Sequence, residues 1–290
     1  MPDSTAHATG YIRPEEDGPD WYETTTTVWR LDELRTTIQL WKHLLDDDGY
    51  EGSRSGVRPD TAFTGKHSVF PAPVVERILL RYGGPEGGLI LDAFAGGPPR
   101  GAVSALMGYR YLGYEVRKEQ IDENLAVMQG LGQELGIKLA VDYRCSDGTL
   151  LEGCAPGSVD CAVTSPPYYD LEQYSNLPDD LSNQSSYSDF DAAMERCAEA
   201  HRRVMKPGAF VCIVTAPFRL MTNVGVNTLV DLPGHTVTNF VKADFNFWQK
   251  IILVKNPGSA GLRARNYWEG GRKLVPSHEE LLVFRTPFKE

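Results

Sequence analysis

Residues Val163-Thr164-Ser165-Pro166-Pro167-Tyr168-Tyr169 combine a hydroxyl, rigid carbonyl acceptors and an aromatic face in one short run. Two consecutive prolines hold the backbone extended and leave its carbonyls free to accept hydrogen bonds. Tyr168 adds a flat surface for stacking. Rigid acceptors beside an aromatic platform suit an exocyclic amino group on a base turned out of its stack. A Pro-Pro turn ahead of a core tyrosine is the plainer reading of the same residues. The run follows a buried apolar segment, Val159 to Thr164, which reads as a strand. The carboxyl end of such a strand is where open α/β sheets bind ligands.

A second group lies upstream. Leu91-Asp92-Ala93-Phe94-Ala95-Gly96-Gly97-Pro98-Pro99-Arg100-Gly101 reads as a strand ending in Asp, a glycine turn and a helix start. Glycines let a ligand approach the backbone, and a helix N-terminus favours a negative group. Pro98 or Pro99 suits the first helical position, where a missing N–H costs little. A plain βα turn would look much the same. Glu115 ends the next strand about twenty residues on, where a carboxylate grips ribose hydroxyls in nucleotide-binding βαβ units. Cys145-Ser146-Asp147-Gly148 follows a third strand. Asp147 is either an acceptor for an adenine amino group or a turn-capping residue.

The elements that must position these residues alternate. The spacing predicts helices over 72–82, 101–107 and 119–135, with a helical stripe from Phe190 to Met205 that stops at Pro207-Gly208. Strands are predicted over 88–94, 109–116, 139–145, 159–164, 209–216, 249–254 and 280–285. This is an α/β chain with a mostly parallel, doubly wound sheet. The last two strands lack a helix between them and read as an antiparallel pair at the sheet edge. Their connection, about 255–279, is too long for a simple hairpin loop. Val28, Leu31, Leu34, Ile38, Trp41, Leu44 and Leu45 recur at helical spacing, so one amphipathic helix anchored by Trp29 and Trp41 is expected there. Residues 46–60 form a turn-rich linker. The organisation expected is an N-terminal acidic arm and helix over 1–62 and a catalytic domain over 63–290.

Composition bounds the class. The chain has 290 residues, 41% of them apolar, and a net charge of −10. An apolar content of that size excludes wholesale disorder. No stretch approaches the ~18 apolar residues of a spanning helix. The five cysteines form no CxxC pair, against a disulfide scaffold or zinc module. Residues 1–62 carry 13 Asp/Glu against 6 Lys/Arg. Residues 236–275 reverse the balance, with seven Lys/Arg against Asp244 and Glu269. That segment can form a local basic face on an acidic protein.

Taken with their order, these motifs resemble the S-adenosylmethionine-dependent DNA amino-methyltransferases of the N4-cytosine/N6-adenine type, over residues 63–286. Thr64 to Pro71 is similar to the segment that packs over the methionine part of the cofactor. Asp92 to Gly97 is similar to the family's cofactor loop, and Thr164-Ser165-Pro166-Pro167-Tyr168 to its catalytic signature. Pro207-Gly208 and Ser277 to Phe284 also match family positions. Leu171 to Ser175 and Gly270 to Lys273 resemble a group of phage-borne, stand-alone methylases. Pro98-Pro99 depart from the family by removing backbone donors after the glycines.

The resemblance implies a Rossmann-like methyltransferase fold with an antiparallel edge hairpin. It implies methyl transfer from S-adenosylmethionine to a flipped base in duplex DNA, with N4 of cytosine favoured over N6 of adenine. Ser165, Pro166, Pro167 and Tyr168 are then catalytic. Ser68, Phe70, Asp92, Phe94, Gly96, Gly97, Glu115 and Asp147 are cofactor-binding. Tyr169, Tyr174, Arg263, Arg265, Arg272 and Lys273 are DNA-binding. No Pro-Cys motif is present, against cytosine C5 chemistry. No metal and no membrane are expected, and the location implied is the cytoplasm of a bacterium or phage-infected host. A homodimer and a cognate nuclease are compatible partners. An RNA amino-methyltransferase and an inactive cofactor- and DNA-binding subunit are the alternatives. His67 and His278 read as structural.

Overall fold

The computed structural model describes residues 27–30, 70–169, 175, 177–221, 227–254, 265, 268–269, 271–274 and 276–288. Among them, one mixed sheet of eight strands carries the site. Its mutually parallel strands are β2 (Leu89–Asp92), β3 (Arg110–Glu115), β4 (Val141–Cys145), β5 (Val159–Thr164) and β6 (Met205–Thr215), with β4 at one edge of the sheet. The order is β4-β3-β2-β5-β6, all parallel, then β10 (His278–Arg285) antiparallel to both β6 and β9 (Asn246–Val254). The antiparallel pair therefore exists as expected, but it is not the outermost edge.

That edge is β1 (Val28–Arg30), which pairs parallel with β9, Trp29 opposite Leu253. This corrects the helix expected to begin at Val28; the rest of that helix, with Trp41, lies outside the described residues. Trp29 is buried in the core while Val28 and Arg30 face out. Three residues are too few to display a period of two, so the helical spacing that follows absorbed them.

The helices α1 (Ala72–Tyr82), α2 (Pro99–Leu106) and α3 (Lys118–Leu135) fall where their apolar spacing placed them. Pro99 opens α2, where its fixed φ suits the first turn. α4 (Tyr187–Val204) starts at a Ser186 cap that accepts from the Asp189 N–H at 3.1 Å. It ends at Val204, before Met205, and Pro207-Gly208 lie inside β6 rather than at a helix stop. Two elements have no counterpart in the sequence reading: a hairpin of β7 (Phe218–Met221) and β8 (Asn227–Val230), and α5 (Leu232–Lys242).

Strand β5 is buried at every position, as a central parallel strand with both faces covered must be. One core layer joins α1, α2 and the edge strands; the other joins α4, α5 and β6. His201 lies wholly inside the second layer, its Nδ1 2.8 Å from the Cys197 carbonyl. Burial depresses its pKa to about 4. The unfolded chain takes up that proton near pH 6.5, the folded one only near 4. Stability is therefore complete above 6.5 and falls through that window, by about 3 kcal/mol in total. Urea unfolding at pH 7 and pH 4.5 checks this, and His201→Gln removes that part of the slope.

Candidate active site

The connections from β2 and β5 leave in opposite directions, β2 toward β3 and β5 toward β6. The crevice between their carboxyl ends is the switch point where open α/β sheets bind ligands. A cleft of about 1080 Å³, including space open to solvent, occupies it. Its wall brings together the cofactor-loop residues Phe94, Gly96 and Gly97, the strand-end Glu115, Asp147, and the whole Ser165-Pro166-Pro167-Tyr168 run. Phe70 lines it as well; Ser68 lies outside the described residues.

Gly96 adopts φ +49°, the left-handed region that glycine enters without strain. Its N–H donates to the Glu115 carboxylate at 3.1 Å, and the Arg117 N–H donates to the other oxygen at 2.9 Å. Burial raises the Glu115 pKa, against those two donors and the Arg117 guanidinium. The carboxylate is thus fixed in place with lone pairs left over for ligand hydroxyls. Gly148 is needed for a different reason. A Cβ there would lie 1.7 Å from the Ala93 carbonyl oxygen, so the loop after β4 packs directly on the loop after β2. Asp147 accepts from the N–H and hydroxyl of Thr149, at 2.7 and 2.8 Å, which makes it a turn residue as well as a wall residue.

Asp92 does not line the cleft. It is completely buried beneath the loop and accepts from Arg100 Nε, the Tyr111 hydroxyl, the Thr164 hydroxyl and the Phe94 N–H. Four donors saturate it, so it builds the site rather than touching a ligand. Arg100 is the residue that sequence reasoning passed over. Its guanidinium also donates to the Phe94 and Ala95 carbonyls and sits 4.8 Å from the Phe70 ring centroid. The signal was a buried-strand Asp followed by a basic residue in the next helix's first turn. Asp179, Asp180 and Glu279 also reach the wall and were not foreseen.

The Ser165 hydroxyl donates to the Val214 carbonyl at 3.0 Å. Its single proton is committed there, so its oxygen faces outward as an acceptor. Tyr168 is half-buried with its ring 6.0 Å from that of Phe218 on the β7–β8 hairpin. Tyr169 is not on the cleft wall; it packs behind, 5.9 Å from both Tyr187 and Phe190. Arg265 is exposed and ion-paired with Glu269, and Arg272 is exposed; neither they nor Lys273 line the cleft. Tyr174 and Arg263 lie outside the described residues. The basic segment nevertheless leaves β9 at Val254 and returns at His278, directly opposite. Glu280 pairs with Thr215, one residue beyond Val214, so the segment leaves and re-enters the sheet at the same end of the strands as Ser165.

With this geometry in place, a family model for DNA methylases matches residues 159–290, from the first residue of β5 onward. Residues 159–290, a little under half of the chain, are thus similar to the DNA methylases. The match contains the Ser165–Tyr168 run and the basic segment; the glycine loop and Glu115 lie upstream of it. No curated protein matches by sequence. Among solved structures, TrmN from Thermus thermophilus is 11% identical, covering 78% of this chain and 51% of TrmN, with TM-score 0.51. The chain thus spans about half the length of that protein. The [4+2]-cyclase SpnF is 15% identical, covering 75% and 82%, with TM-score 0.52. These likenesses show the Rossmann-like methyltransferase fold. A cyclase on that fold makes clear that the fold does not fix the reaction. The DNA methylase match over residues 159–290 is the finding that points beyond the fold. No helix among the described residues is long and apolar enough to cross a membrane.

Proposed function

We propose that the chain methylates the exocyclic amino group of a base flipped out of duplex DNA, with S-adenosylmethionine as donor. The observation that carries this is the shared cleft. Ser165, Pro166, Pro167 and Tyr168 of the methylase segment face the same space as the Gly96–Gly97 loop and Glu115. The residues fit that donor. The wall bears five carboxylates, Glu115, Asp147, Asp179, Asp180 and Glu279, against the guanidinium groups of Arg100 and Arg117. Such a wall favours a cationic sulfonium with an ammonium group. Glu115 would hold the ribose hydroxyls, and the Gly96–Gly97 loop would lie against the methionine part. Bound there, the donor supplies an electrophilic methyl group.

The protein's own work is alignment. An exocyclic amino nitrogen has its lone pair delocalised into the ring. Its two N–H groups would donate to Ser165 Oγ and the Pro166 carbonyl, which draws the nitrogen toward tetrahedral geometry and frees the lone pair. Tyr168 would stack on the extruded base, backed by Phe218. Pre-set acceptors and position then supply most of the acceleration. Ser before Pro-Pro-Tyr favours cytosine N4 over adenine N6. Arg263, Arg265, Arg272 and Lys273 would hold phosphates of the DNA backbone.

Isotope transfer from labelled S-adenosylmethionine to unmodified duplex DNA, single-stranded DNA and RNA tests the acceptor. Duplex DNA is expected to accept at least tenfold more label than RNA; a reversed order would assign the same chemistry to RNA.

A further inference from the structure

The hydrogen bonds of Asp92 divide between its two oxygens in a way that joins the two halves of the cleft. Oδ2 accepts from Arg100 Nε at 2.5 Å and from the Tyr111 hydroxyl at 2.8 Å. Arg100 in turn holds the Phe94 and Ala95 carbonyls, at 2.5 and 3.0 Å. Oδ1 accepts from the Thr164 hydroxyl at 2.7 Å and from the Phe94 N–H at 3.1 Å. The Phe94 N–H is also 3.2 Å from Thr164 Oγ1, which closes a triangle. All three of Asp92, Arg100 and Thr164 are buried.

This triangle bridges a split. Strands β2 and β5 pair at Leu91 and Ala162 and then diverge around the cleft. Beyond that point, Thr164 is tied directly to the glycine-loop side, one residue before Ser165. Phe94 and Ser165 both line the cleft; on the reading given above, Phe94 faces the cofactor and Ser165 the target. A shift of Phe94 on ligand binding therefore acts on Thr164 directly through the Phe94 N–H to Thr164 Oγ1 hydrogen bond, and indirectly through Asp92 Oδ1, which accepts from both.

We propose that Thr164 is a positioning residue that couples occupancy of the cofactor side of the cleft to the placement of Ser165. Asp92 and Arg100 form the fixed point of that coupling. The inference rests on the cofactor reading given above, and it adds a direction of communication within the site. Coupling of this kind is reciprocal: whatever orders the Ser165 side also tightens the cofactor side.

Hydrogen exchange read by mass spectrometry tests it without requiring methyl transfer. In the wild-type chain, S-adenosylmethionine is expected to slow exchange at least fivefold in a peptide covering 91–97 and in one covering 160–169. In Thr164→Val the first peptide keeps its protection and the second falls below twofold. Thr164→Ser, which restores the hydroxyl, returns the second peptide to the wild-type value. Methyl transfer by Thr164→Val should lose about tenfold in kcat with KM for S-adenosylmethionine changed less than threefold. A merely structural role would lower the melting temperature without separating the two peptides. Thr164→Ala removes the same hydroxyl and serves if the valine variant does not fold. Equal protection of both peptides in Thr164→Val, or no recovery in Thr164→Ser, overturns the coupling. No protection of either peptide in the wild-type chain overturns the cofactor reading itself, and the coupling with it. Protection of both without any methyl transfer would leave the coupling standing and remove only the assigned reaction.

Discussion

Replacing Ser165 with alanine is expected to lower kcat for methyl transfer about 100-fold, with the melting temperature moved by no more than a few degrees. A factor of 100 corresponds to about 2.7 kcal/mol of transition-state stabilisation. It is the scale at which one pre-oriented hydrogen-bonding group acts on developing charge. The geometry supports that size. The Ser165 hydroxyl proton is spent on the Val214 carbonyl at 3.0 Å, so the oxygen can only accept from the target. Alanine removes that acceptor where the amino group must be reshaped. Stability suffers less, because Ser165 is only half-buried and the Val214 carbonyl lies on the cleft wall. Binding of the donor should change little, since Ser165 faces the target. Steady-state kinetics beside a thermal melt separates these effects; a parallel fall in melting temperature of ten degrees or more would instead make Ser165 a structural residue.

Gly148→Ala is expected to weaken S-adenosylmethionine binding by at least 30-fold and to destabilise the fold by about 3 kcal/mol. The cause is backbone on backbone. The added Cβ would sit 1.7 Å from the Ala93 carbonyl oxygen, so one of the two loops must move by more than an ångström. Neither is a flexible side-chain end that can yield cheaply, and overpacking of that kind costs about 1–3 kcal/mol or somewhat more. Both loops carry cleft residues, Phe94 on one and Asp147 on the other, so the displacement reaches the ligand. Gly130→Ala is the matching control. Gly130 lies exposed in α3 with nothing within 4 Å of a new Cβ, so alanine should be neutral or stabilise the helix by roughly 0.5–1 kcal/mol. Isothermal titration with S-adenosylmethionine and urea unfolding of both variants check the pair.

Much of this site was readable before any coordinates. The central strands β2 and β5 show as short apolar runs because a parallel sheet covered on both faces needs little else there. The Ser165–Tyr168 run was legible because its prolines constrain the backbone locally, without help from the rest of the chain. Where the physics is not local, the reading failed. The family resemblance put Asp92 among the cofactor-binding residues, while the structure buries it away from the cleft wall. Its partner Thr164 lies 72 residues away, and no spacing rule joins them. Arg100 was visible as a residue and silent as a role, since its importance comes from carbonyls that the turn happens to aim inward. β1 was hidden by its length and by the helical spacing beyond it. The helix α5 did carry a signal, an Asp231 cap with a proline in the first turn, yet Pro233-Gly234 reads more readily as a loop.

The central claim is amino-group methylation of duplex DNA by the Ser165 cleft. Its most direct test is incubation of the full chain with isotopically labelled S-adenosylmethionine and unmodified duplex DNA, digestion to nucleosides, and mass spectrometry, with Ser165→Ala alongside. The account predicts labelled N4-methylcytosine, or N6-methyladenine if the serine preference does not hold, at a level about 100-fold lower with Ser165→Ala. Label in 5-methylcytosine, or equal label from both proteins, would contradict it.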